Sequence, residues 1–383
     1  MTPVAERRFD LDWLRIIAFG LLIFYHIGMF FVTWDWHVKS RHAGPLIEPL
    51  MLLSNPWRLS LLFLIAGVAT RFMADKAGPS MRALIGQRSR RLLLPLVFGM
   101  LVIVPPQTYC EIVEKLGYAG SWLDFYIAYL SFYDGWRPGG QPLLVPTWNH
   151  LWFVPYLWAY TMLVLLARTA LPGGIWPAME AGLAGWLRGW RLLLLPWLLL
   201  AGLRIWLRPI FGQSHALVDD WYLHAAYGGL FLFGFLIARQ PAIWAGIRAL
   251  RWPALGLGLA GYGGLLLWRF GWQPAALVPL RDAAWALQQW GLILALLGFA
   301  QIWLNHDGPA RRYLTEAVFP FYILHQTVIV LVGHGLRDAG LSALAEMAVI
   351  LGATALACWL GFALVRRLPW LRPFFGLRAA SPR

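Results

Sequence analysis

Charge is scarce in this sequence. Only 13% of its 383 residues are Asp, Glu, Lys or Arg and 60% are hydrophobic, against roughly 25% charged and 45–50% apolar in soluble domains. So little polar covering excludes an ordinary water-soluble globule. Cysteine is almost absent: Cys110 and Cys358 are too few for a disulfide scaffold and lack the spacing of a metal site. The chain also contains no Walker sequence, dinucleotide glycine fingerprint, His-Glu-x-x-His or Gly-x-Ser-x-Gly. Hydrolytic and redox readings therefore have no residues to stand on, and no metal is expected. The net charge of +14 does not argue for nucleic acid, because no basic block is interleaved with stacking aromatics on a polar face.

What the sequence has in abundance is Gly (38) and Trp (24), residues that transmembrane helices and interfacial belts concentrate. Apolar runs long enough to cross about 30 Å of hydrocarbon fall near residues 13–33, 46–70, 92–109, 147–168, 191–208, 222–240, 254–270, 283–304, 314–333 and 341–365. The expected fold class is all-α: a polytopic membrane protein of about ten transmembrane helices, with residues 1–383 forming one membrane domain. The alternation of barrel strands is absent. Met1–Asp12 is charged and lacks a small-residue cleavage site, so it reads as an uncleaved signal anchor, and the two cysteines are expected near opposite membrane faces as free thiols.

Alternating the spans places most basic residues on one side, from Arg7 and Arg8 through Arg88, Arg90 and Arg91 to Arg366, Arg367 and Arg383. The other side collects only a few, among them Lys39, Lys115, Arg204, Arg208 and Arg281. Both termini are then expected in the cytoplasm. The long outer connection 110–146 contains the amphipathic stretch from Trp122 to Leu130, which either covers a cavity or lies in the interface.

Ionisable groups inside spanning helices are costly, so each points to a cavity or a site. His26 lies deep in the first helix, near the expected bilayer midplane. Arg15 lies eleven positions earlier, close to three turns of 3.6 residues, so both side chains project from one face. His325 gives a second midplane imidazole, with Glu316 more than two turns before it and Pro320 between them. On the outer side His150 and Asn149 sit beside Trp148 and Trp152, and His37 beside Asp35, Trp36 and Lys39; aromatic and polar groups at a mouth suit a sugar. On the inner side Arg88, Arg90 and Arg91 precede the third span, where guanidinium forks match phosphate oxygens and the positive-inside rule places Arg as well. A proton-coupled transporter or flippase would also use midplane histidines. No related halves are detectable, however, as transporters often show.

Taken in order, Arg15 to His26, Trp36-His-Val-Lys-Ser, Phe63-Leu-Ile-Ala-Gly, Arg88 to Pro95, His150-Leu-Trp-Phe and Tyr322-Ile-Leu-His-Gln-Thr resemble the acyltransferase family 3 membrane enzymes. Within them the closest likeness is the glucan biosynthesis protein C branch, which acts on periplasmic glucans. Ala66 stands where the family has Ser before the Gly. The resemblance implies a bacterial inner-membrane O-acyltransferase that takes succinyl or acetyl from cytoplasmic acyl-CoA to a hydroxyl of a periplasmic glucan or other carbohydrate. It implies that His26 is the catalytic histidine and Arg15 its partner, with His325 and Glu316 assisting. Arg88 and Arg91, with Arg71, would hold the CoA phosphates, and His37, Trp36, His150, Trp152 and Asn149 the acceptor. Membrane lipids are the other expected partners. The oligomeric state is open, a homodimer included.

Overall fold

In the computed structural model, which describes residues 8–271 and 273–378, no β-strand occurs among the described residues. Arg7 and Arg383, used above to orient the chain, and the start of the expected signal anchor lie outside the described residues. Fourteen helices have nine residues or more: α1 (Phe9–Phe31), α2 (Arg58–Ala77), α3 (Met81–Phe98), α4 (Pro105–Leu116), α5 (Trp122–Leu130), α6 (Phe153–Ala170), α7 (Ile175–Trp186), α8 (Arg191–Gly202), α9 (Gly229–Ile237), α10 (Pro241–Ala249), α11 (Arg251–Phe270), α12 (Val278–Trp303), α13 (Pro309–Leu336) and α14 (Ala343–Arg367).

Seven helical stretches are long and apolar enough to span a membrane, and nine if the two bent pairs each count as one span. These nine coincide with nine of the ten expected runs, so the protein is a multi-pass membrane protein. The tenth run, 254–270, is helical as α11, but its glycines, tryptophans and terminal arginines keep it outside that set.

The described chain divides into two compact units. The first comprises Met1–Ala18, Pro49–Gln87 and Tyr156–Thr315; the second comprises Phe19–Glu48, Arg88–Pro155 and Glu316–Arg383.

In the first unit helices touch through glycine, as expected where lipid removes the hydrophobic drive and close backbone approach must supply the attraction. A methyl group on Gly67 of α2 would lie 1.9 Å from the Phe231 carbonyl oxygen of α9, and one on Gly234 would lie 2.1 Å from that of Leu64. α11 and α12 cross in the same way, with a Gly261 methyl 2.5 Å from the backbone nitrogen of Gln288. Asp75 gathers three arginines of this unit, accepting from Arg71 (3.0 Å), Arg168 (2.9 Å) and Arg239 (3.0 Å).

In the second unit Ile27, Phe30, Phe31, Trp36, Val38, Cys110, Ile329, Val330 and Ile350 form one buried cluster. The chain is bent by 41° between Met81–Ile103 and α4, where the last turn is a π-helix, Gly99–Ile103, followed by Pro105. A π turn loosens the backbone ladder, and the apolar surroundings require its carbonyls to be met internally. Hydroxyl groups do this: Tyr129 donates to Met100 (2.8 Å), Tyr126 to Leu101 (2.9 Å) and Thr327 to Ile103 (2.7 Å). The stretch Trp122–Leu130 is helical, with a Ser121–Asp124 capping box. Phe125 and Tyr129 are buried in an aromatic cluster with Trp136, while Leu123 and Ile127 are exposed, an arrangement that fits an interfacial helix.

Gly261→Ala should lower the thermal unfolding midpoint in detergent, by the equivalent of about 1–3 kcal/mol of overpacking. Gly263→Ala, where a methyl group meets nothing within 4 Å, should leave the midpoint unchanged or slightly raised, because Ala favours helix. Equal midpoints for the two variants would show that the α11–α12 crossing tolerates the methyl group.

Candidate active site

Three imidazoles meet in the second unit. His26 is held by α1, His325 by α13, and His150 by the single 3-10 turn Asn149–Trp152 that leads into α6. The His26 and His325 rings are stacked 5.0 Å apart and 3° from parallel. His150 stands perpendicular to both, at 6.5 Å and 5.2 Å. The helix that carries His26 begins at Phe9, so the ring lies about 9 Å beyond the middle of α1 rather than at its centre.

Hydrogen-bond partners fix which nitrogens carry protons. His325 Nδ1 lies 2.8 Å from the Tyr322 carbonyl and 3.1 Å from that of Phe321. Carbonyls only accept, so Nδ1 carries the proton. The ring is fully buried and an unpaired charge there would be expensive, so it is neutral and its Nε2 is an acceptor. His26 Nδ1 lies 2.7 Å from that Nε2 and must therefore donate to it. The consequence is that His26 carries its basic lone pair on Nε2. An imidazole held in this tautomer by a buried acceptor has the form of a general base or nucleophile.

His150, one of the expected acceptor contacts, is tied to α13 by hydrogen bonds. It is buried, and its Nε2 donates to the Tyr322 and Ile323 carbonyls at 3.1 and 3.2 Å, while Tyr322 Oη donates back to the His150 carbonyl at 2.5 Å. It braces the turn that carries it against α13. His37 is paired with Glu111, its Nδ1 donating to Oε2 at 2.5 Å, and its Nε2 accepts from Gln326 at 3.0 Å. Gln107 joins these groups: its Oε1 accepts from Gln326 (3.0 Å) and Asn149 (3.2 Å), and its Nε2 donates to Thr327 (2.7 Å) and lies 3.4 Å from His150 Nδ1. Trp36 is buried and lies 6.5 Å from the His26 ring. Trp152 sits on the same 3-10 turn as His150.

The other expected site residues have partners of their own. Glu316 is nine residues before His325, about 13.5 Å along the helix axis, and pairs with Arg372 and Arg366 at 3.5 and 3.7 Å. Arg15 faces Asp12 at 3.8 Å in the first unit. Arg71, also in the first unit, is bound by Asp75 and Glu180. Arg88 and Arg91 lie three residues apart on α3 in the second unit, and Arg91 Nε donates to the Gly376 carbonyl at 3.0 Å. Sequence reasoning missed Gln107, Glu111 and Gln326. The signal available was the spacing of Gln107 and Glu111, four apart and hence on one face of α4, and the place of Gln326 next to His325.

An all-helical membrane protein with a hydrogen-bonded imidazole pair, one ring fully buried and the other half-buried, beside a polar network is the class these features define. The chain belongs to acyltransferase family 3: the family's acyltransferase-domain model matches residues 8–366. No curated protein and no solved structure matches the chain. It is a membrane acyltransferase.

Outside the spans, Lys39 Nζ donates to the Met29 and Val32 carbonyls at 2.6 and 2.5 Å, clamping the end of α1 as a cation suits a helix C-terminus. Burial lowers its pKa from 10.5 to about 8. Between those values the unfolded chain holds the proton and the folded chain does not, so this group makes stability rise with pH in that window. Lys39→Met should flatten that rise in unfolding midpoints measured across the window; an unchanged slope would assign it to other groups.

Proposed function

We propose that the chain transfers an acyl group, succinyl or acetyl, from cytoplasmic acyl-CoA to a hydroxyl of a periplasmic glucan or related carbohydrate, from the bacterial inner membrane with both termini cytoplasmic. The observation that carries this reading is the tautomer of His26, set by the 2.7 Å bond to His325. Nε2 of His26 takes the proton of the acceptor hydroxyl as its oxygen attacks the thioester carbonyl. The imidazolium so formed donates through Nδ1 to His325 Nε2, which stabilises the charge without itself changing protonation state, much as a carboxylate steadies a catalytic histidine. Collapse of the tetrahedral intermediate breaks the C–S bond, and the Nε2 proton passes to the departing thiolate. Atoms and charge balance, leaving an ester and free CoA. Arg88 and Arg91 hold the CoA phosphates in this reading, and His37 with Asn149 borders the acceptor.

His26→Ala should lower kcat by about 10²–10⁴-fold, the usual worth of a positioned base, with the protein still monodisperse in detergent. His325→Ala should lose less, and the double variant should be no worse than His26→Ala, because the two rings act as one unit. Full activity in His26→Ala would remove the mechanism. Mass spectrometry of periplasmic glycans from cells with and without the chain should reveal the transferred group as a succinyl or acetyl mass shift; identical spectra would remove the acceptor assignment.

Arg88→Gln combined with Arg91→Gln should raise the KM for acyl-CoA with little change in kcat. An unchanged KM would return these arginines to topology and to the Gly376 contact.

A further inference from the structure

α8 does not end cleanly. It runs through a π-helical turn, Leu203–Leu207, into the short helix Arg208–Phe211, and this irregular end carries two arginines within an apolar span. Arg204 is buried, donates to Asp282 Oδ1 at 3.0 Å and to Tyr222 Oη at 3.2 Å, and lies 4.0 Å from the centre of the Trp285 ring. Arg281 donates to the same Asp282 oxygen at 3.0 and 2.8 Å. Arg208 has Arg204, Arg281 and Asp282 as its charged neighbours. Its buried Nε meets no acceptor, and no carboxylate pairs with it among the described residues.

Arg204 and Arg281 share the one carboxylate of Asp282, and Arg208 beside them has none among the described residues, which leaves an excess of two positive charges in a partly desolvated place. Such an excess in an apolar span is stable only with an anion beside it, and guanidinium forks select planar or tetrahedral oxyanions. The same span presents bulky apolar groups outward: Trp206 is 72% and Ile210 73% exposed, with Leu198 and Leu199 exposed about two to three turns before them. Acyl chains lie against such a surface.

We propose that Arg204, Arg208 and Arg281 form a binding site for the phosphate of an anionic phospholipid, with Trp206 and Ile210 against its acyl chains. The site belongs wholly to the first unit and does not rest on the acyl-transfer reading. Arg204 and Arg208 are four positions apart, the spacing that sets two side chains on one face of a helix. The site accounts for the buried Nε of Arg208, which meets no acceptor among the described residues.

Native mass spectrometry of the full chain in detergent tests this, with phosphatidylglycerol, phosphatidylcholine and inorganic phosphate as probes. Phosphatidylglycerol should be retained and phosphatidylcholine lost, and Arg208→Gln should cut retention of the anionic lipid roughly tenfold, the loss of one hydrogen bond to a charged group. Arg281→Gln should act in the same direction, and Arg208→Lys should fall between, since it keeps the charge and not the fork. A monodisperse elution profile establishes that each variant is folded. Equal retention of both lipids overturns the proposal, as does phosphatidylglycerol binding that both Gln variants leave intact. Displacement of phosphatidylglycerol by millimolar inorganic phosphate would show a soluble oxyanion to be the ligand and overturn the lipid assignment.

Discussion

The bond between His26 and His325 is the constraint on which the chemistry of this protein depends. Alone, an imidazole in an apolar helix has two equivalent tautomers and no reason to present one nitrogen rather than the other. Here the choice is made at a distance. The Phe321 and Tyr322 carbonyls claim the Nδ1 proton of His325, its Nε2 then claims the Nδ1 proton of His26, and the basic lone pair appears on His26 Nε2. Backbone of one helix thus dictates the protonation pattern of a side chain on another. The same logic governs His150 and His37, whose partners fix them as Nε2–H and Nδ1–H in turn.

Around this pair, backbone carbonyls hold His325 and His150, and side-chain amides link the remaining polar groups. Gln107 and Gln326 are both buried and between them join His37, Asn149, Thr327 and His150. An amide offers donor and acceptor without carrying charge, which suits a membrane interior where charge is costly and an unmet hydrogen bond nearly as costly. The charged members, Glu111 and Lys115, pair with each other at 3.0 Å.

Much of this was legible in the sequence, and the limits have physical causes. Spans such as 341–365 follow from hydropathy, which responds to the bilayer directly. His26 and His325 stood out because ionisable groups are rare at such depth. Their contact did not, since nothing local links residues 299 positions apart. Periodicity places a side chain on a face without naming what that face meets. The hydrogen bonds by which His150 braces α13 were therefore not legible in the sequence. Glu316 stood more than two turns before His325 in the sequence, and the arginines that pair with it, Arg366 and Arg372, come from distant positions that no spacing announces. The span 254–270 is apolar through its leucines, while its glycines serve close contact with α12, which hydropathy does not register.

The π turn at Gly99–Ile103 sets the angular phase of everything that follows it in α4. One residue corresponds to about 100° of helix rotation. The extra residue held there by Tyr126, Tyr129 and Thr327 is therefore what aims Gln107 at the amide network and Glu111 at His37. Shortening the chain by one position in that segment would regularise the helix and at the same time swing both groups about a quarter turn away. The polar centre is in this sense indexed by a local irregularity, and the length of the segment matters to it independently of which side chains the segment carries.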